Sequence, residues 1–256
     1  MRVAIITPYF KESRQTLLRC VESVRAQKIS SQVDEVVHVL VSDGHPQDWI
    51  DEMGLRHLRL GCSHGDYGNT PRSIGALLSA SEGFDAICFL DADNWFDPEH
   101  VESCVDVLYR AAEPVDYVVA RRRMVRDDGS IMPVVAGDDV GFRHVDTSCY
   151  FLSWSAFQTL GIWAVMPKPL SVVGDRVYRL ALHQAGLKFA AVDVPTVNYL
   201  CTWSSFFNAI GEVPPPYAKS DVDVTRVIRW WGGLDDRSKM VVQRLTGCTI
   251  DQILAE

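Results

Sequence analysis

Apolar and polar positions follow two different periods along the first part of this chain. Residues 3–7 form a short apolar run stopped by Pro8, which predicts a buried strand. Ser13 precedes Leu17, Leu18, Val21 and Val24 at helical spacing, so a helix capped by Ser13 is expected. Residues 36–42 make the next apolar strand and end in the polar turn Ser42-Asp43-Gly44, and 56–60 suits a short edge strand. A helix is expected over 70–81, with Pro71 in its first turn. Another apolar strand, 86–90, runs straight into Asp91-Ala92-Asp93, and a helix follows from Pro98 to about residue 112. Strands alternating with helices in this way predict a parallel, doubly wound α/β sheet.

The second half changes character. Apolar stretches at 117–125 and 131–135 flank Asp127-Asp128-Gly129, a hairpin signal. Residues 153–160 read as a short helix. The Pro-rich Met166-Pro167-Lys168-Pro169 leads to a helix over 174–185, and 189–192 returns as a strand. After Pro214-Pro215-Pro216 the chain reads as helical over 220–256, with Trp230 and Trp231 beside a Gly-Gly break. The expected organisation is two halves of one domain, 1–112 and 113–212, followed by a helical extension over 213–256.

Composition narrows the function classes. A chain of 256 residues with 47% hydrophobic residues can bury one large core. A net charge of -8 leaves no basic excess to displace counterions, which argues against a nucleic-acid partner. Seven cysteines without CxxC pairing read as reduced thiols in a cytoplasmic protein, with no zinc site. The first residues look like a strand and not a signal peptide. No stretch reaches the roughly 20 apolar residues of a bilayer span, which leaves peripheral membrane contact open.

The candidate chemistry gathers at strand ends. Alternate residues of an extended chain point the same way, so Asp91 and Asp93 could converge on one object. Two carboxylates side by side repel unless a proton or cation lies between them, and Mg²⁺ or Mn²⁺ carrying a phosphate is the usual partner. Residues 7–9 and Ser42-Asp43 are two further polar strand exits, and parallel strands bring such exits to one edge. Asp43 there suits either a nucleobase N–H or an Asx turn before Gly44. Arg72, at a helix start, suits either an anion or solvent.

Several segments together resemble the GT-A fold glycosyltransferases of the inverting family 2 type. These are Ile6-Thr7-Pro8-Tyr9-Phe10, the helix pattern Leu17, Cys20, Ser23 and Gln27, and Val41-Ser42-Asp43-Gly44. Gly68-Asn69-Thr70-Pro71-Arg72-Ser73-Ile74-Gly75 and Phe89-Leu90-Asp91-Ala92-Asp93-Asn94 with Pro98 complete the set, all within about residues 1–112. Each is weak alone; their order and spacing make the match specific.

The resemblance implies a mostly parallel sheet with flanking helices, a nucleotide-sugar-binding 1–112 and an acceptor-binding 113–212. It implies a nucleotide-sugar donor (UDP-linked first) at Thr7, Pro8, Tyr9, Asp43, Arg72, Asp91 and Ala92. It further implies Mn²⁺ or Mg²⁺ ligated by Asp93, with Asp91 on the ribose or the metal's water shell. The acceptor would be a glycan, a lipid-linked molecule or a small molecule; oligomeric state is not implied. The family's acceptor-side base, often "ED" at a helix start, falls at Val173-Gly174-Asp175-Arg176, where Gly174 replaces the first acid. Asp175 is therefore the expected base, with helix N-cap as its plain alternative. Asp146 is the fallback, and Asp138 or Asp139 a third choice. A further family metal ligand, frequently His, has no counterpart around 197–203, and His183 reads as structural. Arg121, Arg122, Arg123 and Arg126 read first as a solvated hairpin face, with a phosphate-bearing donor or a lipid-linked acceptor as the alternative partner for some of them. Trp203, Phe206, Phe207, Trp230 and Trp231 suit an acceptor groove or ordinary packing.

Two other readings compete. A strand followed by Asp-x-Asp also resembles haloacid-dehalogenase-like phosphatases, but Trp95 stands where those carry Thr or Val, and about three strands precede the motif. A non-catalytic nucleotide-binding module is the other, kept alive by Gly174 and the missing His.

Overall fold

The computed structural model describes residues 1–134 and 144–255. Eight strands form one sheet in the order β3-β2-β1-β4-β7-β6-β8-β5. They are β1 (Arg2–Tyr9), β2 (Glu35–Ser42), β3 (Arg56–Arg59), β4 (Ala86–Phe89), β5 (Trp95–Phe96), β6 (Tyr117–Val125), β7 (Tyr150–Ser153) and β8 (Phe189–Leu200). β1 pairs in parallel with β2 and β4, β2 with β3, and β6 with β8. β7 is antiparallel to both β4 and β6, and β5 is antiparallel to β8. β1, from Val3 to Ile6, and β4 are buried on both faces, as expected of parallel strands covered by helices.

The helices are α1 (Arg14–Arg25), α2 (Trp49–Glu52), α3 (Asn69–Ser81), α4 (His100–Arg110), α5 (Ile162–Val165), α6 (Gly174–Gln184), α7 (Ser204–Ala209), α8 (Thr225–Gly232), α9 (Asp236–Thr246) and α10 (Ile250–Leu254). Ser13 caps α1 by accepting the Thr16 N–H at 3.1 Å, and the helix buries Leu17, Cys20, Val21 and Val24. α3 lies close on the sheet because residue 75 is glycine. A Cβ there would stand 2.8 Å from both Ile6 and Val41.

The first half follows the sequence expectation closely; the second departs from it. The Asp127-Asp128-Gly129 turn forms, with the Arg126 N–H on Ser130 O at 2.9 Å. Beyond it only an isolated bridge, Val125–Ile131, links the two arms, and β6 pairs with β7 and β8 instead. The expected 153–160 helix is a 3₁₀ turn over Trp154–Thr159. β8 runs eight residues past the expected 192, and β5 and β7 have no counterpart in the sequence reading. The arginines do not form a solvated face. Arg122 is buried and pairs with Asp146 at 3.1 Å, Arg123 pairs with Asp97, and Arg126 with Glu212 at 2.6 Å.

The C-terminal helices α8 and α9 bury Val227 and Val242 in the main core, with Trp230 and Trp231 packed against it. Trp203 and Phe206 line the cleft described below, whereas Phe207 is buried with Met124, Met132 and Cys201. All seven cysteines are free thiols, and only Cys62 is exposed. Among the described residues no helix is long and apolar enough to cross a membrane.

Candidate active site

Because β2, β1 and β4 are parallel neighbours, their C-terminal ends and the start of α3 open at one edge of the sheet. A cleft of about 920 Å³ lies there. Pro8, Asp43, Arg72, Asp91 and Asp93 line one side, and Asp146 and Asp175 come from the second half of the chain.

The β1 exit contributes Pro8, Tyr9 and Phe10. Thr7 does not reach the cleft: it is fully buried, its hydroxyl sharing a hydrogen bond with His38 Nε2 at 2.9 Å. Burial, with some help from the Arg25 charge, pushes the His38 imidazole down to about 3, so it is neutral. The Tyr9 hydroxyl lies 2.6 Å from His57 Nε2 and accepts the Gln47 N–H at 3.0 Å.

Asp43 forms no Asx turn before Gly44; its side chain reaches across to residues 63–65 instead. Its carboxylate accepts the N–H groups of His64 and Gly65 at 2.9 and 3.2 Å, and it meets His64 Nδ1 at 2.7 Å and the Ser63 hydroxyl at 3.3 Å. Burial pushes its pKa up, but these donors outweigh that and hold it below the usual carboxylate range. It thereby fixes the loop that leads to α3. In that loop Tyr67 adopts φ +59°, left-handed and exposed at the cleft mouth.

Arg72 is 3% exposed, despite standing in a helix's first turn. It donates to Asn69 Oδ1 at 2.9 Å and to Asp91 Oδ1 at 2.7 Å, with its guanidinium 4.8 Å over the Trp163 ring. It is thus neither a solvent arginine nor an unpaired anion site.

The strand ends at Phe89, so Asp91 and Asp93 are not alternate residues of an extended segment. They sit on a turn closed by the Asn94 N–H on Asp91 O at 2.9 Å. Ser148 Oγ accepts from the Asp91 N–H and Asn94 Nδ2, and Asn94 Oδ1 accepts the Leu200 N–H, which pins the turn to β8. Both carboxylates still line the cleft, as does Ala92, which also packs against Tyr9, Leu17 and Val21. Asp93 has no hydrogen bond or ion pair among the described residues. Desolvation and then the charge of Asp91 push it up to about 7, with Lys219 pulling the other way. Desolvation also raises Asp91, against the Arg72 charge.

The sign of the Asp93 shift yields a prediction. A carboxyl whose folded pKa is raised binds its proton more tightly folded than unfolded, so stability falls as pH rises from about 4 to about 7. Without metal, Asp93→Asn should therefore melt above the wild type at pH 8, the gap shrinking toward pH 4; thermal unfolding across pH reads this directly.

Asp175 lies in the first turn of α6, but the N-cap is Val173, so Asp175 does not cap the helix. Its Oδ1 accepts the Arg176 N–H at 2.8 Å and its Oδ2 lies 3.2 Å from His144 Nε2. The fallback, Asp146, is 7% exposed and engaged on both oxygens, by the Ser148 N–H at 2.9 Å and by Arg122 at 3.1 Å. Asp138 and Asp139 lie outside the described residues.

Gly174 has a packing reason. A Cβ there would come within 3.0 Å of Asn69 Nδ2, the residue that steadies Arg72. Gly174→Glu, which restores the family's first acid, should displace Asn69 and cost about 1–3 kcal/mol in denaturant unfolding.

His144, Lys219 and Asn69 are site residues that the sequence reading did not single out for a role. Only Asn69 carried a signal, as part of the matched α3 motif. His144 and Lys219 reach the cleft through tertiary structure. No group of three or more His, Cys, Asp or Glu suited to a metal exists among the described residues.

Residues 4–137 match the family described as Glycosyl transferase family 2. No curated protein matches the chain. Among solved structures, S. aureus TarS 1–349 in complex with UDP is 12% identical at a TM-score of 0.60, over 82% of this chain and 63% of that one. S. aureus TarS is 13% identical at 0.60, over 82% and 38%. TarS 1–349 in complex with UDP-GlcNAc is 11% identical at 0.55, over 96% and 71%. The chain thus spans less than two thirds of the first of these structures, and the likeness at such identity is one of fold, the GT-A fold. With the family matched over just more than half of its residues, the chain belongs to glycosyl transferase family 2.

Proposed function

We propose that this chain moves a sugar from a nucleoside diphosphate donor, UDP-linked first among candidates, to an acceptor hydroxyl with inversion. The observation that carries this is the facing arrangement in one cleft. Pro8, Asp91 and Asp93 stand at the strand exits, Arg72 at the start of α3, and the partly exposed Asp175 opens from the second half. The TarS structures with UDP and UDP-GlcNAc support the donor class.

The residues at the strand exits fit a divalent cation. Asp93 is a hard-oxygen donor without a partner among the described residues, its carboxyl raised by burial and then by the Asp91 charge, and a cation relieves both costs. With Asp91 part-engaged by Arg72, the set suits Mg²⁺ or Mn²⁺, which keep open positions for water and phosphate oxygens. Bound there, such a cation supplies Lewis-acid neutralisation of a departing diphosphate.

The protein's own groups do the rest. Arg72 holds Asp91 in place, and Lys219 sets a positive charge beside Asp93. Pro8, Tyr9 and Phe10 bound the nucleotide end, while Thr7 and Ala92 support it from the core. Recognition of a nucleobase N–H by Asp43 requires one of its donors to give way; the His64 ring, 31% exposed, and the Ser63 hydroxyl are the side-chain donors able to rotate. Asp175 takes the acceptor proton as the hydroxyl attacks the anomeric carbon from the face opposite the diphosphate. The phosphatase alternative fails on the family match and on Arg72, which engages the carboxylate that would be the nucleophile.

The test is incubation with a panel of UDP- and GDP-sugars with and without Mn²⁺, following nucleotide release and the anomeric configuration of the product. Mn²⁺-dependent UDP release with an inverted product is expected. Binding of UDP with no turnover of any donor would favour a non-catalytic module.

A further inference from the structure

His144 enters the cleft from the segment leading to β7, and the fold brings its ring to the carboxylate of Asp175. Among the described residues each oxygen of that carboxylate has one polar neighbour, a hydrogen bond on Oδ1 and an ion-pair contact on Oδ2. Oδ1 accepts the Arg176 N–H at 2.8 Å and Oδ2 faces His144 Nε2 at 3.2 Å. A carboxylate offers about four lone-pair sites, so two partners leave a free acceptor site on each oxygen. Both side chains are partly open to the cleft, 29% for His144 and 24% for Asp175. By contrast, Asp146 and Asp43 are nearly closed off, 7% and 4% exposed. Without the ring contact, the Arg176 amide alone would leave the Asp175 plane free to turn.

We propose that His144 is the positioning residue of the base: from 3.2 Å its Nε2–H turns onto Asp175 Oδ2 and holds a lone pair of that carboxylate toward the acceptor hydroxyl. This rests on the reading of Asp175 as the base. In the step, the acceptor O–H bond breaks and its proton goes to Asp175. The oxygen's electron pair forms the new bond to the anomeric carbon, and the old C–O bond leaves with the diphosphate. His144 keeps its proton throughout and touches no reacting atom. The other charged groups lining the cleft are Arg176, the Arg122–Asp146 and Arg72–Asp91 pairs, Asp93 with Lys219, and the carboxylates of Glu12, Asp43, Asp66, Asp221 and Asp223. Beneath the His144–Asp175 pair lies the buried Tyr150.

The test compares His144→Ala, His144→Phe and His144→Gln with Asp175→Asn, measuring kcat, donor KM and Mn²⁺-linked UDP affinity. Loss of the N–H donor in H144A and H144F should lower kcat by about 10–100-fold, the cost of a misplaced catalytic group, with UDP affinity unchanged. H144Q, which can present an N–H at a similar reach, should recover most of that loss. H144F keeps the ring volume, so it serves where H144A fails to fold. Wild-type kcat in H144A or H144F would overturn the proposal, and so would an equal loss in H144Q with UDP binding intact. If D175N itself retains transfer, the underlying base assignment fails instead, and that outcome is visible separately.

Discussion

Asp175→Asn should bind UDP with Mn²⁺ as tightly as the wild type and lose transfer by about 10²–10⁴-fold. The substitution keeps the side chain's shape and one oxygen, so Oδ1 can still accept the Arg176 N–H and α6 keeps its first turn. What disappears is the cleft-facing carboxylate at the start of α6; Asp221 and Asp223 also line the cleft, each already accepting a hydroxyl, from Ser205 and Thr225. Asp146 is a poor substitute, since taking a proton there would break its ion pair with the buried Arg122. Losing one partner of a buried pair typically costs about 3–5 kcal/mol. Steady-state kinetics beside calorimetric UDP titration separates the two effects. If kcat falls together with UDP affinity, Asp175 acts on the donor and not as the base.

Asp93→Ala should abolish the part of nucleotide affinity that depends on Mn²⁺, while metal-free binding changes little. The expected loss at saturating Mn²⁺ is at least the ~10–100-fold typical of removing even an outer partner of a metal site. Asp91→Ala should behave differently. It would free the Arg72 guanidinium, 3% exposed and now held by Asp91 and Asn69, so a stability loss accompanies any binding defect. Titrating UDP against both variants, with and without Mn²⁺, distinguishes a ligand at 93 from a structural ion pair at 91.

The architecture was legible wherever burial imposes a simple pattern. β1, β2 and β4 are apolar because helices cover both faces, and α1 and α4 carry one apolar stripe each, whereas α3, which buries mainly small and polar residues, was marked by Pro71 in its first turn. Legibility failed where partners are distant. The Asp127-Asp128-Gly129 turn is real, but a turn does not reveal that β6 pairs with β7 and β8. β7 is four residues long and β5 two, too short to show a period.

The site divides in the same way. The strand-exit residues Pro8, Tyr9, Asp43, Asp91 and Asp93 could be read from their place after apolar runs, as could Arg72 at a helix start. Their partners could not. Arg72 meets Asp91 across 19 residues of sequence, Asp146 meets Arg122 from another strand, and His144 meets Asp175 through the packing of α6. Thr7 was misplaced because alternation sends its side chain inward to His38, although its neighbours Pro8 and Tyr9 line the cleft.

The most direct test of metal-linked nucleotide-sugar chemistry in this cleft is calorimetric titration of UDP into the wild-type protein, with and without Mn²⁺, with GDP as control. Tight, Mn²⁺-dependent binding of UDP that vanishes in Asp93→Ala and survives in Asp175→Asn is the predicted result. UDP affinity that is indifferent to Mn²⁺, or unchanged by Asp93→Ala, would contradict it.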